Sequence, residues 1–246
     1  MKAVILCAGL GSRTGLNYPK CLYKFSDGKT LLKKNLETLV RAGFKKSDII
    51  LVTGFKSSLI KKETKNLYKY IHNSKFRNTN MVYSFYEVIK KYKSQDYFIF
   101  YADIIFTAQI VRKLIRSKKK ILTLIDSDWL KKWRLKKDYL NDLEELKIKK
   151  KKIISLGKKV NNIKNINGRF IGITKFSKSI IKELQKNKII KELLILDNKI
   201  DFTNFLMHII KKNYSIYALR KKINWFEFDN LQDFKIYEKI DNYDLF

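Results

Sequence analysis

Two glycines follow the first apolar run of the chain, in the stretch Ala8-Gly9-Leu10-Gly11-Ser12-Arg13. Because glycine has no side chain, backbone N–H groups in such a loop can approach an anion and form a nest for phosphate oxygens. Two familiar phosphate-binding patterns do not fit, because Thr14 stands where a dinucleotide-binding loop needs its third glycine and Tyr23 where a Walker loop needs its first. The residues predict a phosphate-binding loop of another kind, the alternative being an ordinary glycine-rich turn with basic residues nearby.

Two aspartates end apolar runs that lie far apart in the chain. Asp103 follows the run FIFYA, and Asp229 follows WFEF. In α/β proteins ligands bind at the carboxyl edge of the sheet, which is where both side chains are expected. Carboxylate oxygens are also the protein ligands that Mg²⁺ prefers. Either aspartate alone is more typical of a cap or a turn, but together with the glycine loop the two are candidates for a metal site.

A group of acidic and aromatic residues follows the apolar run 121–125. Trp129 and Trp133 are four residues apart, so on a helix they share one face, and Asp126 and Asp128 come just before them. These four side chains suit a pocket for a cationic head group, which aromatic rings attract through cation–π interactions. The alternative is that both tryptophans pack in the core, as most tryptophans do.

The composition limits the class of protein. The chain has 246 residues, with 54 Lys and Arg against 23 Asp and Glu, a net charge of +31. Hydrophobic residues make up 45%, which excludes wholesale disorder, and the apolar runs are too short to insert in a membrane. Lysine is spread over every segment and arginine is scarce, so we expect a solvated basic surface with no specific nucleic-acid partner. Two cysteines form neither a disulfide framework nor a zinc site unaided, which favours a cytoplasmic protein.

Apolar runs alternate with helical patterns, which predicts an α/β protein. We expect a Rossmann-like, mainly parallel central sheet with helices on both faces, in a single domain over residues 1–246. Residues 126–172 break the alternation and are expected to form an inserted region over the carboxyl edge of the sheet. The predicted strands are 3–8, 49–54, 69–71, 97–101, 121–125, 215–219 and 225–228, and the predicted helices are 31–42, 79–91, 108–116, 176–187, 202–212 and 231–240.

The glycine loop and the late aspartates resemble one known family. Gly9-x-Gly11-Ser12-Arg13 followed by Pro19-Lys20 is similar to the signature of nucleotidyltransferases that activate sugar phosphates and phosphocholine, and 225–233 resembles the family's W-x-E-I-D-x-x-x-D ending. The resemblance implies a GT-A-like fold, Arg13 and Lys20 on the triphosphate, and Asp103 and Asp229 on Mg²⁺. It also implies a nucleotide-binding set formed by Leu6, Ala8, Gly9, Gly11, Ser12, Asn80 and Ala102.

Four further segments are similar to the phosphocholine cytidylyltransferase-like branch of that family. They are 77–84 (RNTNMVYS), 125–133 (IDSDW and the second tryptophan), 155–159 (SLGKK) and 167–172 (NGRFIG). The similarity implies that Thr79 caps a helix, that Asn80 lies near the site and that Lys158 faces the acceptor phosphate. It further implies that the inserted region binds the acceptor.

One position departs from the branch and bears on the acceptor. Arg169 stands where relatives carry Glu, and a guanidinium there suits a carboxylate better than a quaternary ammonium. The resemblance implies a cytidylyltransferase that uses CTP and a small phosphorylated acceptor, such as phosphocholine or phosphoglutamine, for capsule or lipopolysaccharide decoration. The alternatives are a sugar-1-phosphate uridylyl- or thymidylyltransferase and a basic polyanion-binding protein without catalysis.

Overall fold

The first strand shows how the sheet is buried on both sides. In the computed structural model, which describes residues 1–92, 94–136 and 139–241, β1 spans Lys2–Cys7. Ala3 and Ile5 pack in one hydrophobic cluster, while Val4 and Leu6 pack in another on the opposite face. This alternation follows from the two-residue repeat of a strand and requires helices on both faces of the sheet.

The strands and helices are numbered in chain order. The other strands are β2 (Ile49–Thr53), β3 (Lys69–His72), β4 (Tyr97–Tyr101), β5 (Ile104–Phe106), β6 (Ile121–Asp126), β7 (Glu144–Lys149), β8 (Lys152–Lys159), β9 (Arg169–Phe176), β10 (Tyr217–Lys221) and β11 (Trp225–Glu227). The helices are α1 (Leu31–Ala42), α2 (Ser57–Glu63), α3 (Met81–Lys91), α4 (Ala108–Arg116), α5 (Trp129–Trp133), α6 (Lys178–Lys186), α7 (Ile189–Leu196), α8 (Phe202–Lys211) and α9 (Leu231–Asp241). Among these helices none has the length and apolarity needed to cross a bilayer.

Within the described residues the main sheet has nine strands in the order β3-β2-β1-β4-β9-β6-β10-β8-β7. Strand β9 runs antiparallel to both of its neighbours, β8 runs antiparallel to β10 and β7, and the remaining pairs are parallel. Seven of the nine strands therefore point the same way. The predicted α/β fold with a mainly parallel sheet and helices on both faces is confirmed.

Local signals explain where the first long helix begins and ends. Thr30 caps α1 by accepting a hydrogen bond from the backbone N–H of Lys33, and Gly43 ends it with a φ of 112°. A left-handed residue at this position satisfies the last carbonyls of a helix, and glycine adopts it without strain. The predicted bounds 31–42 are confirmed.

Helix α3 begins two residues later than predicted. Its cap is Asn80, whose side chain accepts from the backbone N–H of Met81, so the expectation that Thr79 caps the helix is wrong. The Thr79 hydroxyl instead donates to the backbone carbonyl of Lys75 and accepts from Asn73. The turn before the helix uses this hydroxyl, which leaves the capping position to the next residue.

The predicted inserted region lies differently from the expectation. Asp126 ends β6 and Arg169 begins β9, so both ends of the segment 126–172 belong to the sheet. Between them β7 and β8 form an antiparallel hairpin that extends the sheet beyond β10. This hairpin therefore widens one edge of the sheet, and the assignment of the region to the acceptor stays a prediction.

Asp126 is a buried structural residue. It has no exposed surface, and its carboxylate accepts from Trp225 Nε1 at 2.8 Å, from Lys132 Nζ at 2.7 Å and from two backbone N–H groups. A buried carboxylate is stable only when hydrogen bonds and a counter-ion surround it, as they do here. It joins β6, the segment of α5 and β11 and cannot reach a ligand.

The tryptophans of α5 are also part of the core. Trp133 is fully buried and stacks on Trp225 with ring centroids 6.1 Å apart, and Trp129 packs edge-on against Trp133. Asp128 is half-buried and pairs loosely with Lys131 and Lys222. The expectation that Asp126, Trp129 and Trp133 line an open head-group pocket is therefore wrong, and the packing alternative is correct for both tryptophans. The role of Asp128 stays a prediction.

Asp126→Ala is expected to lower the free energy of unfolding by roughly 3–5 kcal/mol, because it leaves a buried ammonium and an indole N–H without partners. Urea denaturation followed by far-UV circular dichroism measures the change. Asp128→Ala is the matched control and should cost less than about 1 kcal/mol, since its pairs are long and solvated. Equal losses for the two variants would contradict this assignment.

Candidate active site

One cleft lies beside the loop that follows β1. The loops after β1 and β4, the start of α3 and the turn after β11 all contribute to it, which places it at the carboxyl ends of the central parallel strands. Its described lining residues are Leu6, Cys7, Gly9, Gly11, Ser12, Arg13, Pro19, Lys20, Cys21, Asn80, Met81, Tyr101, Ala102, Asp103 and Asp229. The cleft brings together residues from both ends of the chain.

The glycine loop is packed against Lys20. Gly11 has a φ of 63°, and a Cβ added to it would come within 3.2 Å of the Lys20 Cβ. The Thr14 hydroxyl donates to the Gly11 carbonyl at 2.7 Å and closes a single 3₁₀ turn over Ser12–Thr14. Only glycine satisfies both the left-handed backbone and the close contact, so this position fixes the loop relative to the Lys20 stem.

Asp103 reaches the cleft through the pairing of two short strands. Strands β5 and β11 pair antiparallel, and the backbone N–H of Phe228 donates to the Asp103 carbonyl at 2.8 Å. The carboxylate Oδ2 accepts from Lys20 Nζ at 2.9 Å, whereas Oδ1 is buried and has no hydrogen-bond partner among the described residues. A buried carboxylate oxygen without a donor favours a cation as its partner.

Asp229 lies between two cations. Its Oδ1 pairs with the Arg13 guanidinium at 2.8 Å, and its Oδ2 accepts from Lys136 Nζ at 2.9 Å. Burial alone would raise the pKa of Asp229, but Lys136 and Arg13 outweigh it and hold that pKa below the ordinary value. The carboxylate is therefore charged and ready to ligate a cation at neutral pH.

The backbone around Asp229 is held by a capping box at the start of α9. The Asp233 carboxylate accepts from the backbone N–H groups of Asp229 and Asn230, and the Asn230 side chain accepts in return from the N–H groups of Gln232 and Asp233. This reciprocal arrangement satisfies the free N–H groups of the first helical turn. It fixes the direction in which Asp229 leaves the chain.

Glu227 adds a carboxyl group that is neutral near pH 7. Burial, followed by the negative charge of Asp229, raises the pKa of Glu227 to about 8. The neighbouring charges of Lys136 and Arg169 oppose the rise without cancelling it. Glu227 therefore adds less negative charge beside Asp229 than an ordinary carboxylate would.

The donors in the cleft fit a magnesium ion. Asp103 and Asp229 supply hard carboxylate oxygens, and Mg²⁺ typically binds one or two carboxylates together with substrate phosphates and water. In the described part of the chain no group of three or more His, Cys, Asp or Glu side chains forms a site that is complete without a substrate. The residues thus suit a metal that arrives with a triphosphate.

The predicted nucleotide-binding residues lie together. Six of the seven line the cleft, and Ala8 lines a small cavity that adjoins it and shares Leu6, Gly9 and Asn80 with it. Arg13 and Lys20 line the same cleft as Asp103 and Asp229. The structure thus collects the triphosphate and metal residues that the sequence predicts, and their roles stay predictions.

The predicted acceptor residues are more scattered. Lys158 is exposed on β8 and is not among the described residues that line the cleft. Arg169 is buried, with its guanidinium 4.0 Å above the Trp133 ring and bonded to the Asp142 carboxylate at 2.8 Å. It lies 4.0 Å from Glu227 and is not among the described residues that line the cleft.

Sequence reasoning missed the residues that support Asp229. Lys136 is one of 46 lysines and belongs to no motif, so no signal distinguished it. Asp233 stands in the family ending that the sequence resembles, and that spacing was the available signal. Cys7 also lines the cleft, but a hydrogen bond with Cys21 and burial raise the pKa of its thiol, which makes it a poor nucleophile.

Comparisons with known proteins agree with this geometry. Residues 3–155 match the MobA-like NTP transferase domain. The chain is 32% identical over 253 residues to a CTP:phosphoglutamine cytidylyltransferase of Campylobacter jejuni, a match that covers 96% of this chain and 98% of that protein.

Solved structures with the same fold are more distant in sequence. The inositol-1-phosphate CTP transferase from T. maritima superposes with a TM-score of 0.74 at 18% identity, covering 98% of this chain and 96% of that one. A CTP:phosphocholine cytidylyltransferase from Streptococcus pneumoniae gives a TM-score of 0.71 at 18% identity, covering 97% and 98%. The fold is shared with both enzymes, and the domain match over more than half its length shows that the chain belongs to the MobA-like NTP transferase family.

Proposed function

We propose that the protein is a Mg²⁺-dependent cytidylyltransferase that transfers CMP from CTP to a small phosphorylated amino acid and releases pyrophosphate. The observation that carries the proposal is the convergence of Asp103, Asp229, Arg13 and Lys20 in one cleft beside a glycine loop. The relative of Campylobacter jejuni, aligned over nearly its whole length, supports CTP and phosphoglutamine as substrates. A CDP-linked product of this kind suits surface-polysaccharide decoration.

The loop and two cations bind the triphosphate in this proposal. Backbone N–H groups between Gly9 and Ser12 donate to phosphate oxygens, and the Lys20 ammonium, fixed on Asp103, neutralises charge beside them. The Arg13 side chain is 70% exposed, so it moves from Asp229 to the phosphates without disturbing the core. Both cations then face the charge that develops on the departing pyrophosphate.

Asp103 and Asp229 would hold the metal, and a bound Mg²⁺ would supply positive charge that stabilises negative charge on the phosphates. The two carboxylates reach the cleft through the paired strands β5 and β11. Their position relative to the loop therefore depends on backbone hydrogen bonds rather than on flexible side chains.

The reaction needs no protein base. An oxygen of the acceptor phosphate, already an anion near neutral pH, attacks the α-phosphorus of CTP in line while the bond to pyrophosphate breaks. Neither histidine is among the described residues that line the cleft. The residues accelerate the reaction by holding the two phosphates in line and by neutralising charge.

Arg169 is the proposed contact for the carboxylate of the acceptor. Trp133 holds its guanidinium in place, and its carboxylate partner Asp142 is 51% exposed on the loop before β7. A carboxylate from the acceptor can replace that of Asp142 without leaving a buried charge unpaired. The role of Lys158 toward the acceptor phosphate stays a prediction.

Asp103→Asn is expected to lower kcat for pyrophosphate release by roughly 100- to 1,000-fold, because it removes a carboxylate that would hold the metal. Metal-free binding of CTP should be unchanged or tighter, since a negative charge leaves the cleft. A coupled pyrophosphate assay and equilibrium dialysis measure the two effects.

Asp48→Asn, which removes a surface ion pair with Lys2, is the control and should retain full activity. An Asp103→Asn enzyme as active as that control would show that the metal assignment is wrong. If the protein binds CTP and other polyanions equally and releases no pyrophosphate at all, it is a binding protein and not a transferase.

A matrix of the four nucleoside triphosphates against candidate acceptors tests the substrates. With CTP, we expect kcat/KM for phosphoglutamine to be at least about tenfold higher than for the other acceptors, a difference of ~1.4 kcal/mol. The other acceptors are phosphocholine, phosphoethanolamine, aminoethylphosphonate and hexose-1-phosphates. A preference for UTP or dTTP with a hexose-1-phosphate would instead identify a sugar nucleotidyltransferase.

Arg169→Met should raise the KM for phosphoglutamine by roughly tenfold or more, because it removes a charge-assisted bond to the carboxylate. The KM for acceptors without a carboxylate should change much less, so the preference of the enzyme for phosphoglutamine over them should decrease. Arg134→Met, an exposed arginine after α5, is the matched control. An unaltered acceptor preference in the Arg169 variant would rule out this contact.

A further inference from the structure

Lys136 places a buried ammonium next to the cleft. Its side chain is only 8% exposed, and Nζ lies 4.2 Å from the centroid of the Trp133 ring and 5.6 Å from that of Phe226. It bonds Asp229 Oδ2 at 2.9 Å and lies 3.4 Å from Asp233 Oδ2. The Lys136 ammonium keeps this position, because its departure would take a counter-ion from two carboxylates.

The two cations on Asp229 are therefore unlike each other. Arg13 occupies Oδ1 from an exposed loop turn, whereas Lys136 occupies Oδ2 from the core. An exposed ion pair of long side chains contributes little and exchanges readily, while a buried pair with a fixed geometry does not. Only Arg13 can leave Asp229 to bind another anion.

Lys136 also acts on the backbone that carries Asp229. Asp233 receives the N–H groups of Asp229 and Asn230 and lies beside the Lys136 ammonium. The lysine thus links the Asp229 carboxylate to the capping box that orients it. Asp229 Oδ2 thus has a fixed partner, and Asp229 Oδ1 is left for a ligand in the cleft.

We propose that Lys136 is the permanent counter-ion of Asp229 and thereby frees Arg13 to move to the triphosphate. It is a positioning residue, since it acts through Asp229 and Arg13 and is not among the described residues that line the cleft. Without Lys136, Arg13 would be the remaining cation on a half-buried carboxylate, and it would bind phosphate only by leaving that carboxylate unpaired. The inference rests on the proposed binding of CTP in this cleft.

The test compares CTP affinity in excess EDTA across a set of variants, by isothermal titration calorimetry. Lys136→Met is expected to weaken binding roughly tenfold, because Arg13 stays on Asp229. Asp229→Asn removes the carboxylate that holds Arg13. Added to Lys136→Met, it should improve CTP affinity by about tenfold or more. In the native background the same change should improve CTP affinity by only about twofold. Adding Arg13→Met should abolish the improvement.

Lys131→Met, which removes an exposed lysine that pairs only loosely with Asp128, is the control and should bind CTP as the native protein does. If Asp229→Asn changes CTP affinity equally in the two backgrounds, the proposal is overturned, because charges that act independently predict equal changes. Native protein that binds CTP with Mg²⁺ but not in EDTA would overturn it as well, since Arg13 then does not leave Asp229 unaided. Absence of CTP binding under both conditions would instead contradict the proposed function itself.

If Lys136→Met alone does not fold, Asp229→Asn and Asp229→Asn/Lys136→Met supply the comparison. The double variant removes both partners of the buried pair, a change that proteins commonly tolerate. With Asp229 neutral, loss of Lys136 should change CTP affinity by less than about threefold. A loss of about tenfold or more would show that Lys136 contacts the triphosphate directly and would overturn the positioning role.

Discussion

Charge balance around two carboxylates is the constraint on which this site depends. Asp103 and Asp229 are withdrawn from solvent far enough that each needs a cation, and each has one within 2.9 Å. The proposed function requires that the same carboxylates can exchange those cations for a metal and a triphosphate. The structure fixes one oxygen of each carboxylate on Lys20 or Lys136. The other oxygen has no hydrogen-bond partner among the described residues in Asp103, and in Asp229 it pairs with the exposed Arg13. Preorganised charges of this kind stabilise a transition state without rearrangement during the reaction.

The short pairing of β5 with β11 makes this balance possible. These strands lie outside the nine-stranded sheet, and their register sets Ile104 beside Glu227. Asp103 directly precedes β5, Asp229 follows β11 by two residues, and the Phe228 N–H donates to the Asp103 carbonyl between them. Residues more than 120 positions apart thus meet through three paired residues on each strand. Trp225, held by Asp126 and stacked on Trp133, fixes the other end of β11, so the buried aspartate supports the site indirectly.

The parts of this arrangement that the sequence predicts are those with a local signal. Strand-ending aspartates, a glycine loop and the periodicity of Leu31–Ala42 each depend on neighbouring residues, and the elements they indicate are present. Strand β9 was not predicted: its antiparallel place between β4 and β6 is decided by partners far away in the chain, and its residues resembled part of an insertion. For the same reason the spacing of Trp129 and Trp133 indicates that they share one face of a helix but not which other elements bury that face.

The abundance of lysine explains why sequence reasoning missed Lys136. In a chain with 46 lysines, residue type carries almost no information about role, and only burial separates Lys136 from the solvated majority. Arginine is rare, and two of its eight copies, Arg13 and Arg169, lie where a planar guanidinium suits a phosphate or a carboxylate. Lysine suits the opposite task at position 136, because a compact ammonium fits between Trp133, Phe226 and two carboxylates. In the proposed mechanism the chemistry of each cation therefore matches whether its side chain must move or stay in place.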